Sequence, residues 1–252
     1  MLILTFFSIQ MNYAQLKPMA YSDGTQKLNG FGIQAKTATK NKPGILILPA
    51  WKGIDIHSKE VAQQLSDLNY NAFIADIYGE GNYPTNTQEA GKQSGYYKKN
   101  FLDYQKRIQL ALEQLIKMGT NPDQIVVIGY CFGGTVALEA ARANMNFKGV
   151  VSFHGGLEKD VSRFVNPINT KVLVLHGADD PYVSPQSITD FQNESAHQIT
   201  DALHPAIDKI LHETRDSQKP FRAIAKTQAK SVLDGIKSGT VNRTDAKVQL
   251  DA

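Results

Sequence analysis

The sequence predicts an α/β fold in which a mostly parallel central sheet carries helices on both faces. Short apolar runs alternate with longer helical stretches, the pattern of repeated strand-helix-strand units. One such run passes through Gly129-Tyr-Cys-Phe-Gly-Gly134 directly into a helical segment. With 252 residues and 42% hydrophobic content the chain can bury one sizeable core, and a single α/β domain fits that size.

The elements follow in order. Leu2-Ile-Leu-Thr-Phe-Phe-Ser-Ile9 is apolar, too short to span a bilayer, and followed by the polar segment Gln10 to Gln15. Residues 1–14 resemble a secretory signal cleaved near Ala14, though without a basic start, which predicts a periplasmic or secreted protein; an ordinary apolar first strand in a cytoplasmic protein is the alternative. Ser58 to Leu68 and Tyr97 to Met118 read as helices. Gln124-Ile-Val-Val-Ile128 reads as a buried parallel strand, and Thr135 to Arg142 as a helix packed behind it. Phe221 to Ile236 is helix-like in a tail of ordinary globular composition. There is no internal repeat, low-complexity segment or long linker.

A net charge of +3 is slight, and no Lys/Arg cluster interleaves with aromatics, so a nucleic-acid surface is not expected. The pair Lys98-Lys99 reads as a solvated helix face. A single cysteine excludes an intrachain disulfide and any cysteine-based metal cluster, and neither a cofactor nor a metal is expected.

That cysteine, Cys131, falls at the junction of strand and helix. A nucleophile in such a tight turn needs small residues two positions before and after it, where the strand and helix backbones meet, and Gly129 and Gly133 supply them. Helix N–H groups and the helix dipole favour a thiolate there, and the N–H of Phe132 is placed to hold an oxyanion. A buried structural cysteine is the alternative that the residues leave open.

Around this turn the chain resembles the dienelactone hydrolase family of α/β-hydrolases, whose nucleophile is a cysteine in a Cys-Asp-His triad. Tyr21-Ser-Asp-Gly24 with Leu28-Asn-Gly-Phe31 is similar to the opening hairpin of that family. Pro43 to Trp51 is similar to its first central strand and oxyanion loop, Tyr70 to Gly79 to the next strand, and Val150 to Gly156 to the strand after the elbow helix. Val172 to Val183 is similar to the strand and loop that bear the acid. The resemblance covers residues 19 to 191 and implies an α/β-hydrolase core over 15–191, followed by a divergent, mostly helical or irregular segment over 192–252.

In Gly177-Ala-Asp-Asp-Pro-Tyr-Val183 the resemblance implies that Asp180 is the acid, with Asp179 its nearest rival; Asp-Asp-Pro is also ordinary turn chemistry. The family's histidine follows a last strand and precedes a small residue and an aromatic, and Ser195 to Ala252 contains no such motif. His212 lies near the family's separation from the acid, in the helical context Lys209 to Arg215. His197 and His204 are unanchored, His154 and His176 at strand ends read as structural, and His57 reads as the start of a helix near the pocket.

Two departures bear on substrate. The family carries a glutamate in the loop after the first central strand, where this chain has Ala50, and an arginine that holds the substrate carboxylate, where this chain has Glu80. An acid in place of an anion-binding arginine disfavours an anionic lactone. The expectation is a hydrolase of an ester, thioester or lactone acting through Cys131, Asp180 and His212, with the N–H groups of Phe132 and Trp51 as oxyanion hole and Tyr78 and Tyr130 as substrate walls. A family member without a working base that binds a small molecule is the competing expectation. An intermolecular redox thiol would lack a resolving cysteine.

Overall fold

The computed structural model describes residues 15–37, 40–159, 163–177, 180 and 183–194. The hairpin that opens it is β1, Lys17–Asp23, paired antiparallel to β2, Gln26–Ile33. Every residue of β3, Gly44–Leu48, is buried, as its uninterrupted apolar sequence requires of a strand covered on both faces. Helix α1, Ile56–Asp67, starts at Asp55, whose carboxylate accepts the Ser58 N–H while the Ser58 hydroxyl oxygen accepts the Asp55 N–H, a reciprocal cap. Strand β4 is Asn71–Ile74.

The stretch read from sequence as one helix over Tyr97 to Met118 is divided. Helix α2, Thr87–Lys99, ends at Asn100, whose side-chain amide donates to the Tyr96 carbonyl, and α3, Phe101–Lys117, begins at the next residue. Asn100 leaves helical geometry because its side chain offers the backbone a competing partner. Along α3, Tyr104, Ile108, Ala111, Leu112 and Leu115 recur at helical spacing and face the core. Arg107 on the same helix donates to the Asp23 carboxylate at 2.6 Å and to the Ile77 carbonyl at 3.0 Å, fastening the opening hairpin to the helix layer.

A 3-10 turn, Pro122–Gln124, leads into β5, Ile125–Tyr130, then α4, Phe132–Arg142, β6, Gly149–Phe153, β7, Val172–Leu175, and α5, Pro185–Glu194. The sheet order is β1-β2-β4-β3-β5-β6-β7, antiparallel at the first two pairings and parallel thereafter. One core layer joins α3, α4 and α5 to one face of the sheet, and a second joins α1 to the other. The chain runs from β3 outward to β4 and then returns to β5 on the opposite side, so the order reverses at β3. A crevice at the carboxyl ends of strands flanking such a switch is where open α/β sheets place their sites. Among the described residues no helix is long and apolar enough to cross a membrane. Residues 1–14, Asp179, His197, His204, His212 and the stretch Phe221 to Ile236 lie outside the described residues.

Candidate active site

Cys131 stands between β5 and α4 with φ 54° and ψ −117°, a strained backbone for a residue with a side chain. The two flanking glycines make this turn possible. A Cβ on Gly129 would lie 2.0 Å from the Gly133 carbonyl oxygen, and one on Gly133 would lie 2.1 Å from the Leu48 carbonyl oxygen. The spacing read from sequence thus corresponds to two backbone crossings that admit only glycine. The second crossing presses the start of α4 against the end of β3, bringing Phe132 beside the 49–53 loop.

The thiol of Cys131 is half-buried, and its pKa is lowered. The largest cause is a side-chain hydrogen bond with the His154 imidazole; burial opposes it, and the Phe132 N–H directed at the sulfur adds to it, with Lys98 on α2 contributing a further positive field. The pKa of His154 is raised to about 9, first by the bond to Cys131, against burial, with the charge of Asp180 adding to the effect. His154, read from sequence as structural, is exposed to solvent and acts on the thiol.

This juxtaposition follows from sheet register. Tyr130 on β5 is paired with Phe153 on β6, and Phe153 with Leu175 on β7. The next residues on the three strands are Cys131, His154 and His176, which form a row across the carboxyl edge. The Cys131 N–H donates to the Phe153 carbonyl at 2.8 Å, and the His154 N–H to the Leu175 carbonyl at 2.7 Å. His154, like Cys131, has a positive φ, 58°.

Asp180, in the turn after β7, has Oδ2 3.8 Å from Nδ1 of His176. The His176 side chain is only 1% exposed, and neither ring nitrogen has a hydrogen-bond partner among the described residues. Burial pushes its pKa down, the neighbouring Asp180 pushes it up, and His154 pushes it down again. Asp180 thus stands near two imidazoles at once, and only His154 touches the thiol. The signal for His154 was present in sequence as a histidine directly after an apolar strand, but its neighbour depends on a pairing between strands separated by α4.

Pro49, Ala50, Gly53, Ile54, Asp76, Ile77, Tyr78 and Phe132 line a small cleft that includes the residue after Cys131 but none of the three residues of the row. Tyr78 is buried, its hydroxyl donating to the Trp51 carbonyl at 2.7 Å and its ring stacked on Phe132. It braces the loop as well as lining the cleft. The Trp51 N–H has no acceptor among the described residues. Tyr130 turns to the other face of the sheet, between His57 and Phe153, and its hydroxyl is buried without a partner among the described residues. His57 lies in the first turn of α1, as expected. The Asp76 carboxylate accepts from the N–H groups of Asn29, Tyr78 and Gly79 and from the Tyr83 hydroxyl, which fixes the turn before Glu80. Among the described residues no group of three or more His, Cys, Asp or Glu is arranged to hold a metal ion.

A family model described as the dienelactone hydrolase family matches residues 29–205, reaching beyond the limit at Phe191 read from sequence. A Bradyrhizobium protein named "Probable 2-oxo-3-(5-oxofuran-2-ylidene)propanoate lactonase" is 24% identical over 201 residues, covering 73% of this chain and 80% of its own. A solved protein called m3DLH is similar in fold with a TM-score of 0.70 and 26% identity, covering 88% of this chain and 98% of its own. A dienelactone hydrolase-like promiscuous phosphotriesterase from metagenomic libraries follows with a TM-score of 0.68 and 25% identity, covering 86% and 95% of the two chains.

Proposed function

We propose that this chain, which belongs to the dienelactone hydrolase family, hydrolyses a carboxylic ester, thioester or lactone through an acyl intermediate on Cys131. The carrying observation is the state of that side chain. It sits at the apex of a glycine-flanked turn, at the start of α4, and the His154 imidazole, against the effect of burial, lowers its pKa. A thiolate in a half-open position is a nucleophile, whereas a structural cysteine is buried in apolar surroundings that raise its pKa.

The chemistry then runs through groups already in contact. The thiolate attacks the carbonyl carbon, and the N–H groups of Phe132 and Trp51 hold the oxyanion. The Phe132 N–H is already directed at the sulfur, and the Trp51 N–H is free to turn to the same centre from the loop that Tyr78 braces. Asp180 stabilises positive charge on the imidazole beside the thiol. Ala50 brings no charge to the loop after β3, and Glu80 stands where the family resemblance places an anion-binding arginine. These residues favour an uncharged acyl group, and the lactonase name of the Bradyrhizobium relative brings lactones within the same class.

Hydrolysis of an aryl acetate, followed with mass analysis of the quenched protein, tests the reading. Because Cys131 is the only cysteine, an acetyl mass that appears on the wild type and vanishes with Cys131→Ala, together with loss of turnover by about a thousandfold or more, is the expected result. Full turnover by Cys131→Ala would overturn it.

A further inference from the structure

We propose that His154, at the carboxyl end of β6, is the catalytic imidazole of this chain: the resting partner of the Cys131 thiolate and the proton donor to the leaving group. The assignment rests on the hydrolase reading above and deepens it, because it puts the base on the strand next to the nucleophile and makes the site independent of a histidine in the 195–252 segment.

Three structural observations carry it. Register between β5 and β6 sets residues 131 and 154 side by side just past the last paired residues, Tyr130 and Phe153. Both leave the strand through left-handed backbone, φ 54° and 58°, an arrangement that costs energy twice and persists where surrounding structure enforces it. The His154 imidazole acts on the Cys131 thiol from one side and feels the charge of Asp180 from the other, while its residue remains open to solvent. The second strand-end histidine, His176, fails on the same criteria, since it is enclosed and faces Asp180 rather than the thiol. Among the described residues the charged or titratable groups acting on His154 are Cys131 at the start of α4, and Asp180 and His176 after β7; Lys98 on α2 acts on the thiol.

The proton inventory closes with these groups alone. In the resting pair the thiol proton resides on His154. Attack forms the C–S bond and moves the carbonyl π pair onto oxygen. Collapse breaks the bond to the leaving oxygen or sulfur, which takes the proton from His154. Neutral His154 then removes a proton from water as the water oxygen attacks the thioester carbonyl. Breaking of the C–S bond restores thiolate and imidazolium and releases the acid, so the net change is addition of one water across the acyl bond.

The test reads the pair without relying on turnover. Alkylation of the full-length chain by iodoacetamide, titrated against pH, reports Cys131 alone. The wild-type midpoint is expected below that of a free cysteine, about 8.5, and His154→Asn is expected to move it upward by about one unit or more. Asparagine tolerates left-handed backbone, so the turn survives the change. NMR titration of the His154 ring gives a second reading that needs no His154 variant: a midpoint near 9 in the wild type that falls toward 6.5 in Cys131→Ala supports the pair. On an aryl acetate, His154→Asn is expected to reduce kcat/KM by about 100-fold or more. An alkylation midpoint that ignores His154→Asn, or that moves instead with His212→Asn, would overturn the proposal. Loss of the ester reaction in Cys131→Ala with no effect of His154→Asn would leave the hydrolase reading intact and sink this one. A midpoint shifted by His154→Asn in a protein that turns over no ester would do the reverse for the pair and the function.

Discussion

At its amino end α4 starts from a cysteine in strained backbone, beside a half-open imidazole and close to His176, whose ring nitrogens are unsatisfied among the described residues. At its carboxyl end Arg142 is enclosed, with Nη1 2.7 Å from Glu139, Nε 2.7 Å from Glu194, and Nη2 donating to the Leu157 carbonyl. Burial alone would lower the pKa of Arg142, and Glu139 and Glu194 more than offset it. Arg163 completes the group by pairing with Glu139 while its guanidinium lies 3.5 Å over the Phe101 ring. One helix thus has a buried imidazole left without hydrogen bonds among the described residues near its amino end, and a paired guanidinium where α3, α5, Leu157 and Arg163 are held together. An incomplete polar row is therefore not careless packing in this fold, because at the other end of the same helix each nitrogen of a buried guanidinium has an acceptor.

Removing the guanidinium should break the cohesive end most severely. Arg142→Ala would leave Glu139 buried with Arg163 as its one remaining cationic partner and Glu194 without its closest one, and a loss of about 3–5 kcal/mol in unfolding free energy is expected. Urea denaturation measures it, and the alkylation midpoint of the protein still folded should stay at the wild-type value. A shifted midpoint would show that the two ends are coupled rather than separate.

Gly133→Ala attacks the point where the ends cannot be separated. The new Cβ would meet the Leu48 and Pro49 carbonyl oxygens at 2.1 and 2.5 Å, so β3 and α4 must part. A stability loss of about 1–3 kcal/mol is expected, accompanied by slower alkylation at neutral pH as the Phe132 N–H moves off the sulfur. Unchanged alkylation would show that the elbow contributes nothing to thiol reactivity beyond the imidazole.

The smallest effect belongs to Lys159, whose ammonium stands 4.0 Å from Glu194 at the rim of the ion network. Lys159→Ala is expected to change stability by less than about 1 kcal/mol. A loss as large as that of Arg142→Ala would mean that the rim, and not the enclosed pair, holds α5 in place.

What could be read in the sequence was local. Gly129, Cys131 and Gly133 announce the elbow because a backbone crossing two residues away tolerates no Cβ, and the neighbouring apolar runs announce strands because a sheet covered on both faces needs uninterrupted hydrophobicity. Family membership followed from the ordered set of such segments. The division of the Tyr97 to Met118 stretch at Asn100 was missed because an asparagine is tolerable in a helix and here ends one only by bonding back to Tyr96. The partner of the thiol was beyond local reading altogether. His154 meets Cys131 through the pairing of Tyr130 with Phe153, a register set by the packing of α4 over both strands, and nothing within a few residues of either position records it. Residue types and short spacings are properties of the chain, and they carry the fold class and the turn that presents the cysteine; which imidazole stands beside that cysteine depends on the alignment of two strands in the finished sheet.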